Sequence, residues 1–306
     1  MADRRLQVFH AVAKHGSFTR AAEHLFMTQP AVTFQIKQLE EQYNTRLLDR
    51  GHGRISLTPA GEIVLAYAER ILDLTEELDS RVAELTDELA GPLSIGTSTT
   101  LSAYWLPLLL AGFKRLYPRV IPRVWVANSQ ITEDRVAAHE LDIGLIEIAT
   151  DQPTIERRNA ARDELMVICR PDHPLAGFER LKAADLVGHA FIHRENGNAI
   201  RDLAEDFLEA GGVALADMNV CAELGGLNAV KHFAAEGLGF GIASYAAIRD
   251  ERKAGTLAAI PLDPPLYTPF ELIIPRDKFR SRLITTFADY ACEELARMAE
   301  TLRAEP

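Results

Sequence analysis

The chain has 306 residues, of which 47% are hydrophobic and 25% charged, with a formal net charge of −11. This length and composition predict a soluble globular protein of two or three domains and exclude a disordered chain or a disulfide-stapled mini-protein. No apolar run approaches the roughly 20 residues of a membrane span. The three cysteines, Cys169, Cys221 and Cys292, follow no disulfide or metal-binding spacing. We therefore expect a cytoplasmic protein without a metal site.

Charge is distributed unevenly along the chain. Residues 1–60 carry a net charge of +3, whereas residues 61–90 and residues 91–306 each carry −7. This asymmetry favours contact between the first segment alone and a polyanion. A charge of +3 over sixty residues is also compatible with chance composition.

Three short helices are predicted near the start of the chain. Apolar residues at helical spacing indicate a first helix that ends at Gly16, and Ser17 is placed to cap a second helix over Phe18–Leu25. A third helix begins around Pro30, because proline is tolerated in a first helical turn. Its predicted buried stripe consists of Val32, Ile36, Leu39 and Tyr43.

The third helix has a polar outer face that opens with amide and hydroxyl side chains. Two helices joined by a tight turn, the second with such a face, are typical of a helix-turn-helix, whose second helix enters the major groove of DNA. Taken alone, an amphipathic helix pair is also common in ordinary cores. The segments Phe18–Glu23, Thr28–Thr33 and Gln35–Glu40 resemble the winged helix-turn-helix of the LysR-type transcriptional regulators. Leu47–Arg50 and Leu57–Gly61 resemble that family's wing and its exit.

The resemblance implies binding to double-stranded DNA at an inverted repeat. Side chains at the start of the third helix would approach base edges, namely Gln29, Pro30 and Thr33. Phosphate contacts would come from Arg20, Thr28 and Lys37, and the wing would contribute Arg50 and Arg54, which are otherwise solvated loop charges. Phe34 is a further predicted DNA-contacting residue of the third helix, although family members often carry arginine or another polar residue there.

Residues Glu62 to Ala90 contain no glycine and no proline. Their apolar residues form two rows with a seven-residue period: Val64, Ile71, Leu78 and Leu85, and Ala68, Thr75, Val82 and Leu89. This pattern predicts a coiled-coil helix that pairs two chains. The alternative is a long helix lying on its own domain. In the resembled family the linker helix dimerises, usually within a homotetramer.

Residues 92–306 alternate between predicted strands and helices. The predicted helices include one that runs from Ser98 through Leu116 and one over Ala199–Ala210, and the predicted strands include Val120–Val126, Ile143–Ile146, Leu165–Cys169, Ala190–His193 and Glu271–Ile274. The alternation predicts mostly parallel sheet with crossover helices, in two lobes. It resembles the effector domain of the same family, which is similar to periplasmic binding proteins. The predicted α/β multidomain fold therefore comprises a winged helix-turn-helix (1–60), a linker helix (61–91) and a two-lobed effector domain (92–306). Lobe I would contain 92–162 and 267–306, and lobe II 163–266.

Ligands of such sheets bind beyond the carboxyl ends of the strands, at helix starts. The predicted site for a small-molecule effector, an anionic or polar metabolite, is Ser98, Thr99, Thr100, Asn128, Ser129, Glu147, Asn196 and Asn198. The alternative is that these side chains are only helix caps. Gly226-Leu227 stands where family members often carry Ser-Thr, which leaves room for a larger, partly apolar effector. The segments Ser98–Trp105 and Arg194–Lys231 most resemble the branch that controls carbon fixation and sulfur assimilation.

Catalytic motifs are lacking in the sequence. There is no Gly-x-Ser-x-Gly elbow, the histidines show no zinc spacing with cysteine, and Cys221 is predicted to be a core residue of a strand. We expect no catalytic residue and no cofactor beyond the effector. The main hypothesis is a ligand-responsive transcriptional regulator, and the resemblance also implies contact with RNA polymerase. The alternatives are a solute-binding or enzyme domain with a helical appendage, and a constitutive architectural DNA binder.

Overall fold

The computed structural model describes residues 3–25, 27–49, 55–84, 89–148, 152–276 and 280–304. The chain separates into two compact units, Met1–Asp87 and Glu88–Pro306. No helix within the described ranges is long and apolar enough to cross a lipid bilayer.

The first unit is built from helices and a short hairpin. Within its described residues these elements are α1 (Arg4–His15), α2 (Phe18–His24), α3 (Gln29–Tyr43), β1 (Leu48–Asp49), β2 (Ser56–Leu57) and α4 (Pro59–Glu84). The side chains of Asp3 and Ser17 cap α1 and α2 by accepting hydrogen bonds from backbone N–H groups of the first turn. Gly16 ends α1 with a φ of 57°, as predicted.

One core holds these helices together. The predicted stripe of α3 is confirmed at Val32, Ile36 and Leu39, each at most 1% exposed, and α4 contributes the fully buried Ala68. Tyr43, however, is 45% exposed, so its predicted burial is wrong. Tyr43 is the last residue of α3, and the chain turns away at Asn44, which adopts a left-handed conformation.

The junction between the hairpin and α4 depends on a close backbone approach. Thr58 Oγ1 donates to the carbonyl oxygen of Arg46 at 2.7 Å and accepts from the N–H of Gly61 at 3.0 Å. A Cβ atom on Gly61 would lie 2.1 Å from the carbonyl oxygen of Leu47. Only glycine therefore fits at this position, which gives the Leu57–Gly61 motif a physical reason.

The second unit contains strands and helices in mixed order. Its elements are β3 (Gly91–Thr97), α5 (Thr99–Tyr104), α6 (Leu106–Leu116), β4 (Val120–Val126), α7 (Ser129–Ala137), β5 (Ile143–Ile146), β6 (Ile155–Cys169), β7 (Ala190–Arg194), α8 (Ala199–Ala210), β8 (Asn219–Leu224), α9 (Leu227–Ala235), β9 (Gly241–Ser244), α10 (Tyr245–Ala254), β10 (Ala258–Pro275) and α11 (Arg282–Ala304). The single helix expected over 98–116 is broken at Trp105, because Trp105 is buried and Pro107 begins a new first turn.

The main sheet is mixed rather than mostly parallel. Its strand order is β4-β3-β5-β10-β6-β9, in which β3 is parallel to both β4 and β5 and the other pairs are antiparallel. The expectation of a mostly parallel sheet is therefore wrong. The reason is that β6 and β10 are far longer than the short strands expected at 165–169 and 271–274, and they pair with each other over most of their length.

Two lobes are built on these two long strands. We call α5–α7, α11 and β3–β5 lobe I, and β7–β9 and α8–α10 lobe II. Asp163 pairs with Thr268 midway along the β6–β10 ladder, where the crossings were expected. The lobe boundaries by residue number stay a prediction.

Each lobe has an aromatic-rich core. In lobe I, Trp105 packs edge-on against Phe270 with ring centroids 4.8 Å apart, and in lobe II Phe191 stacks on Phe240 at 5.0 Å. Cys221 lies on β8, an edge strand, and is exposed, so its predicted place in the core is wrong.

Candidate functional site

The outer face of α3 presents the side chains that the sequence predicts to meet DNA. Gln29, Pro30 and Lys37 are exposed, Thr33 is half-buried, and Phe34 is 56% exposed. Arg20 and Thr28 are exposed as well. A phenylalanine with that exposure, on a helix whose opposite face is fully buried, supplies apolar surface of the kind that contacts thymine methyl groups.

Gln29 and Thr33 hold each other one turn apart on this face. Thr33 Oγ1 donates to the Gln29 carbonyl oxygen at 3.0 Å and accepts from Gln29 Nε2 at 3.3 Å. Thr28 is the N-cap residue of α3, yet its side chain makes no capping hydrogen bond. The start of α3 therefore presents an amide, hydroxyls and backbone N–H groups, which match base edges and phosphates.

Two predicted wing contacts, Arg50 and Arg54, lie outside the described residues. The hairpin that leads into the wing is positioned by Glu40, a residue that the sequence analysis quoted but gave no role. Glu40 Oε1 accepts from the N–H of Leu47 at 2.8 Å and from that of Leu48 at 3.3 Å. One signal in the sequence could have indicated this role, namely a carboxylate near the end of the helix that carries the family motif.

The linker helix α4 carries a continuous apolar stripe. Steps of three and four residues connect its exposed members, Ile63, Tyr67, Ile71, Leu74, Leu78 and Val82. Of the two predicted rows, Ile71, Leu78 and Val82 are exposed on this stripe. Val64 and Ala68, in contrast, pack into the core of the first unit. Leu85 lies outside the described residues, and Leu89 packs against the core of lobe I.

Strand register brings three of the predicted effector segments together in lobe I. Thr97, at the end of β3, pairs with Val126 of β4 on one side and with Leu145 of β5 on the other. Because these strands are parallel, the residues that follow them emerge at the same edge of the sheet. Ser98, the pair Asn128-Ser129 and Glu147 therefore lie close together.

The centre of this cluster is a buried carboxylate. Glu147 is only 3% exposed, and its Oε1 accepts a hydrogen bond of 2.6 Å from Ser98 Oγ. Ser129 Oγ reaches Oε2 at 3.5 Å. Burial raises the pKa of Glu147, and the hydrogen bond from Ser98 and the charge of Arg194 oppose that rise. The carboxyl can therefore accept or, when protonated, donate a hydrogen bond.

The predicted residues of lobe II lie next to this cluster, and we call the region where the two lobes meet here the cleft. A Cβ atom on Gly197 would lie 3.5 Å from Asn128 Nδ2, which places the Asn196–Asn198 turn opposite the start of α7. Asn128 and Asn198 each accept a backbone N–H and cap α7 and α8, so the capping role holds for both. Thr100 is buried beside Ser98, whereas Thr99 and Asn196 are exposed.

Arg194 is a residue of this cleft that the sequence analysis missed. It is 2% exposed, and its Nε and Nη2 donate to the Glu195 carboxylate at 2.7 and 2.9 Å. Its Nη1 is buried and has no hydrogen-bond partner within the described part of the chain. The predicted strand stopped one residue short of Arg194, which ends β7, and that boundary hid it.

The cleft thus combines carboxylates, a guanidinium, hydroxyls and helix starts. Such a set suits a small polar ligand that carries an anionic group and a hydrogen-bond donor. Among the residues described, no group of three or more His, Cys, Asp or Glu side chains could hold a metal ion.

Two family models match most of the chain. Residues 4–62 match the bacterial regulatory helix-turn-helix protein, lysR family, and residues 86–296 match the LysR substrate binding domain. A probable RuBisCO transcriptional regulator of Cyanidium caldarium is 31% identical over 295 residues, which cover 95% of this chain and 92% of that protein.

Solved structures of the same fold include a DNA complex and a ligand complex. Full-length CbnR complexed with its target DNA is similar with a TM-score of 0.60 at 22% identity, and the match covers 97% of this chain and 100% of that chain. The Synechocystis PCC6803 CcmR regulatory domain in complex with 2-PG is similar with a TM-score of 0.62 at 27% identity, over 68% of this chain and 99% of that chain.

Proposed function

This chain belongs to the LysR family of transcriptional regulators, and we propose that it reads DNA through α3 and senses a small polar effector in the cleft between its lobes. The family membership makes it a DNA-binding regulator with an effector-binding domain. The residues that carry out each task, the effector and the assembly are the proposal.

The DNA-reading residues are Gln29, Pro30, Thr33 and Phe34 on base edges and Arg20, Thr28 and Lys37 on phosphates. Two observations support this assignment. The inner face of α3 is fully buried, so only this outer face is available, and the Gln29–Thr33 pair orients an amide and a hydroxyl at the helix start. Arg50 and Arg54 are proposed from the family resemblance alone.

The effector binds beside Glu147, and the hydrogen bond from Ser98 to this buried carboxylate is the observation that carries the proposal. Thr100, Asn128, Ser129 and Asn198 surround it, and Thr99 and Asn196 lie at the rim. The CcmR regulatory domain, 27% identical to this chain, is in complex with 2-PG, which makes 2-PG the first effector to test.

Dimerisation through α4 completes the proposal. Six exposed apolar side chains along one face of a single helix need a partner, and a second copy of the same helix supplies a matching face. Two α3 helices on one dimer would bind two half-sites and gain affinity by bivalency, within a dimer or a homotetramer. RNA polymerase is the further partner expected for a regulator. We assign no chemical reaction to the chain.

The test is a footprint of the full-length protein on the promoter regions of its own genome, with and without 2-PG. We expect protection of an inverted repeat and a change in the protected region when 2-PG is added. Protection that ignores 2-PG and a panel of other small metabolic anions would favour the constitutive architectural binder. No protection of any duplex at low ionic strength would contradict the assignment of α3.

A further inference from the structure

The outer face of α3 carries two parallel ridges of side chains. Residues four apart on a helix lie one above the other on the same face. Gln29 and Thr33, joined by their hydrogen bonds, form a ridge that presents an amide and a hydroxyl. Pro30 and Phe34, each one residue later and both exposed, form a second ridge beside it that has only apolar side chains. We call these the polar ridge and the apolar ridge.

Phe34 lies at the centre of the outer face. It stands two residues after Val32 and two residues before Ile36, which are both fully buried. Because two residues turn an α-helix by about 200°, the ring projects directly away from the core of the first unit. The residue is 56% exposed. A DNA groove that receives this face of α3 therefore meets the phenyl ring first.

A phenylalanine side chain can read only one feature of a base edge in the major groove. It has no hydrogen-bond donor or acceptor, so it cannot pair with the O6 and N7 acceptors of guanine or with the amino groups of adenine and cytosine. It can pack against the 5-methyl group of thymine, which is the apolar group of the major groove. A guanine beneath the ring would lose water from its acceptors without gaining a partner. Position 34 therefore selects a methyl group and disfavours guanine.

The apolar ridge is long enough to reach more than one base pair. Four residues of an α-helix rise about 6 Å, whereas successive nucleotides of one DNA strand are about 3.4 Å apart along the helix axis. Pro30 and Phe34 therefore contact neighbouring base pairs rather than the same one when α3 lies along the groove. The polar ridge, about 100° further round α3, is left to form hydrogen bonds with the adjacent base edges.

We propose that Phe34 is a specificity-determining residue that reads the 5-methyl group of one pyrimidine in each half-site of the operator. The inference rests on the proposed assignment of α3 as the DNA-reading helix. Pro30 contacts a second methyl group on the neighbouring base pair. Each half-site therefore contains adjacent thymines, and 5-methylcytosine can take the place of thymine under the ring, because the methyl group alone is read there.

Selection from random duplexes tests this preference with the full-length protein. One pool is built with thymine and the other with uracil, which pairs with adenine in the same way and lacks only the methyl group. The thymine pool should yield a consensus with adjacent thymines in both half-sites, and the uracil pool should lose that preference. No enrichment from either pool would contradict the proposed function itself. The same consensus from both pools, enriched to the same extent, would overturn only the methyl proposal.

Single substitutions in the selected site locate the methyl groups. Replacing one thymine by uracil under Phe34 should weaken binding about fourfold, which corresponds to about 0.8 kcal/mol for one buried methyl group. At the same position, 5-methylcytosine should bind about fourfold more tightly than cytosine. A site in which no thymine loses affinity on replacement by uracil would overturn the proposal.

Two variants assign the effect to Phe34. Phe34→Gln should abolish the difference between thymine and uracil at one position of each half-site and keep it at the position next to Pro30. Tyr43→Gln is the matched control, because Tyr43 is 45% exposed and lies nine residues later, on the opposite side of α3. Both positions are exposed, and melting temperatures check that both variants fold. A Phe34→Gln protein that still distinguishes thymine from uracil at every position, or an equal loss in Tyr43→Gln, would show that Phe34 does not read the methyl group.

Discussion

Ser98 donates a 2.6 Å hydrogen bond to the buried carboxylate of Glu147, forty-nine positions later in the chain. The same hydroxyl oxygen accepts the N–H of Leu101 at 3.2 Å and so caps α5. One side chain therefore connects the start of a helix to the end of a neighbouring strand. Any ligand that displaces or shares this hydrogen bond also acts on α5.

Replacing Ser98 by alanine tests that connection. Ser98→Ala removes the cap of α5 and leaves Glu147 without its nearest donor, so we expect a loss of about 1–3 kcal/mol in the free energy of unfolding. The DNA footprint should no longer respond to 2-PG, while DNA affinity without effector stays within about twofold, a change of only about 0.4 kcal/mol. Ser102→Ala, further along α5 and outside the predicted effector set, is the control and should change neither property.

Gln29 tests the reading face of α3. Gln29→Ala should lower the discrimination between operator and random DNA by about 1–3 kcal/mol, because a side chain that reads bases contributes only at the correct sequence. Competition binding with both DNAs measures the difference. Gln42→Ala is the matched control, an exposed glutamine at the far end of the same helix. Equal losses on both DNAs would show that Gln29 does not read sequence.

Lys37 should behave differently from Gln29. Its side chain is exposed and lies 3.6 Å from Glu41, and we expect it to make a phosphate contact of modest strength. Lys37→Gln should weaken binding to all duplexes alike and reduce the salt dependence by about one counterion. A loss confined to the operator would instead assign Lys37 to base recognition.

The exposed stripe of α4 predicts the assembly. Leu78→Glu places a charge in the middle of the stripe and should dissociate the dimer, as measured by sedimentation velocity. Ala66→Glu introduces the same charge at an exposed position off the stripe and should leave the dimer intact. Dimerisation that survives Leu78→Glu would show that the stripe is covered in another way.

Asp163 predicts a pH dependence of stability. Burial raises its pKa to about 6 from the ordinary 3.8, against the hydrogen bonds from Ser244 and Ala246. A carboxyl with a raised pKa binds more protons in the folded protein than in the unfolded one between these values, so it lowers stability as the pH rises from about 4 to about 6. Asp163→Asn removes the titration. The wild type should lose on the order of 3 kcal/mol relative to the variant over this range.

Melting temperatures of both proteins measured from pH 4 to pH 7 check this sign. The Tm of Asp163→Asn minus that of the wild type should become more positive with rising pH and level off above about 6. A difference that does not vary with pH would mean that Asp163 is not desolvated as the geometry indicates.

Local signals in the sequence determined most of the first unit and the positions of many later elements. Gly16, Ser17 and Pro30 mark helix ends and starts through backbone rules that act within one turn, and the structure has them where those rules put them. Strands β4 and β5 and helix α8 also match their predicted bounds, because apolar runs and cap residues are local features.

Only the tertiary structure decided how distant segments meet. The length of β6 and β10 depends on their mutual pairing, and the partial burial pattern of β6, with arginines among its first residues, gives little local sign of a strand. Tyr43 and Cys221 lie in apolar sequence patterns that predict burial, yet both are exposed. Tyr43 ends α3 beyond the core, and Cys221 lies on an edge strand. The burial of Arg194 and the register that joins Ser98 to Glu147 arise from contacts between residues far apart in the chain. Such contacts depend on the packing of whole elements, which spacing along the sequence does not encode.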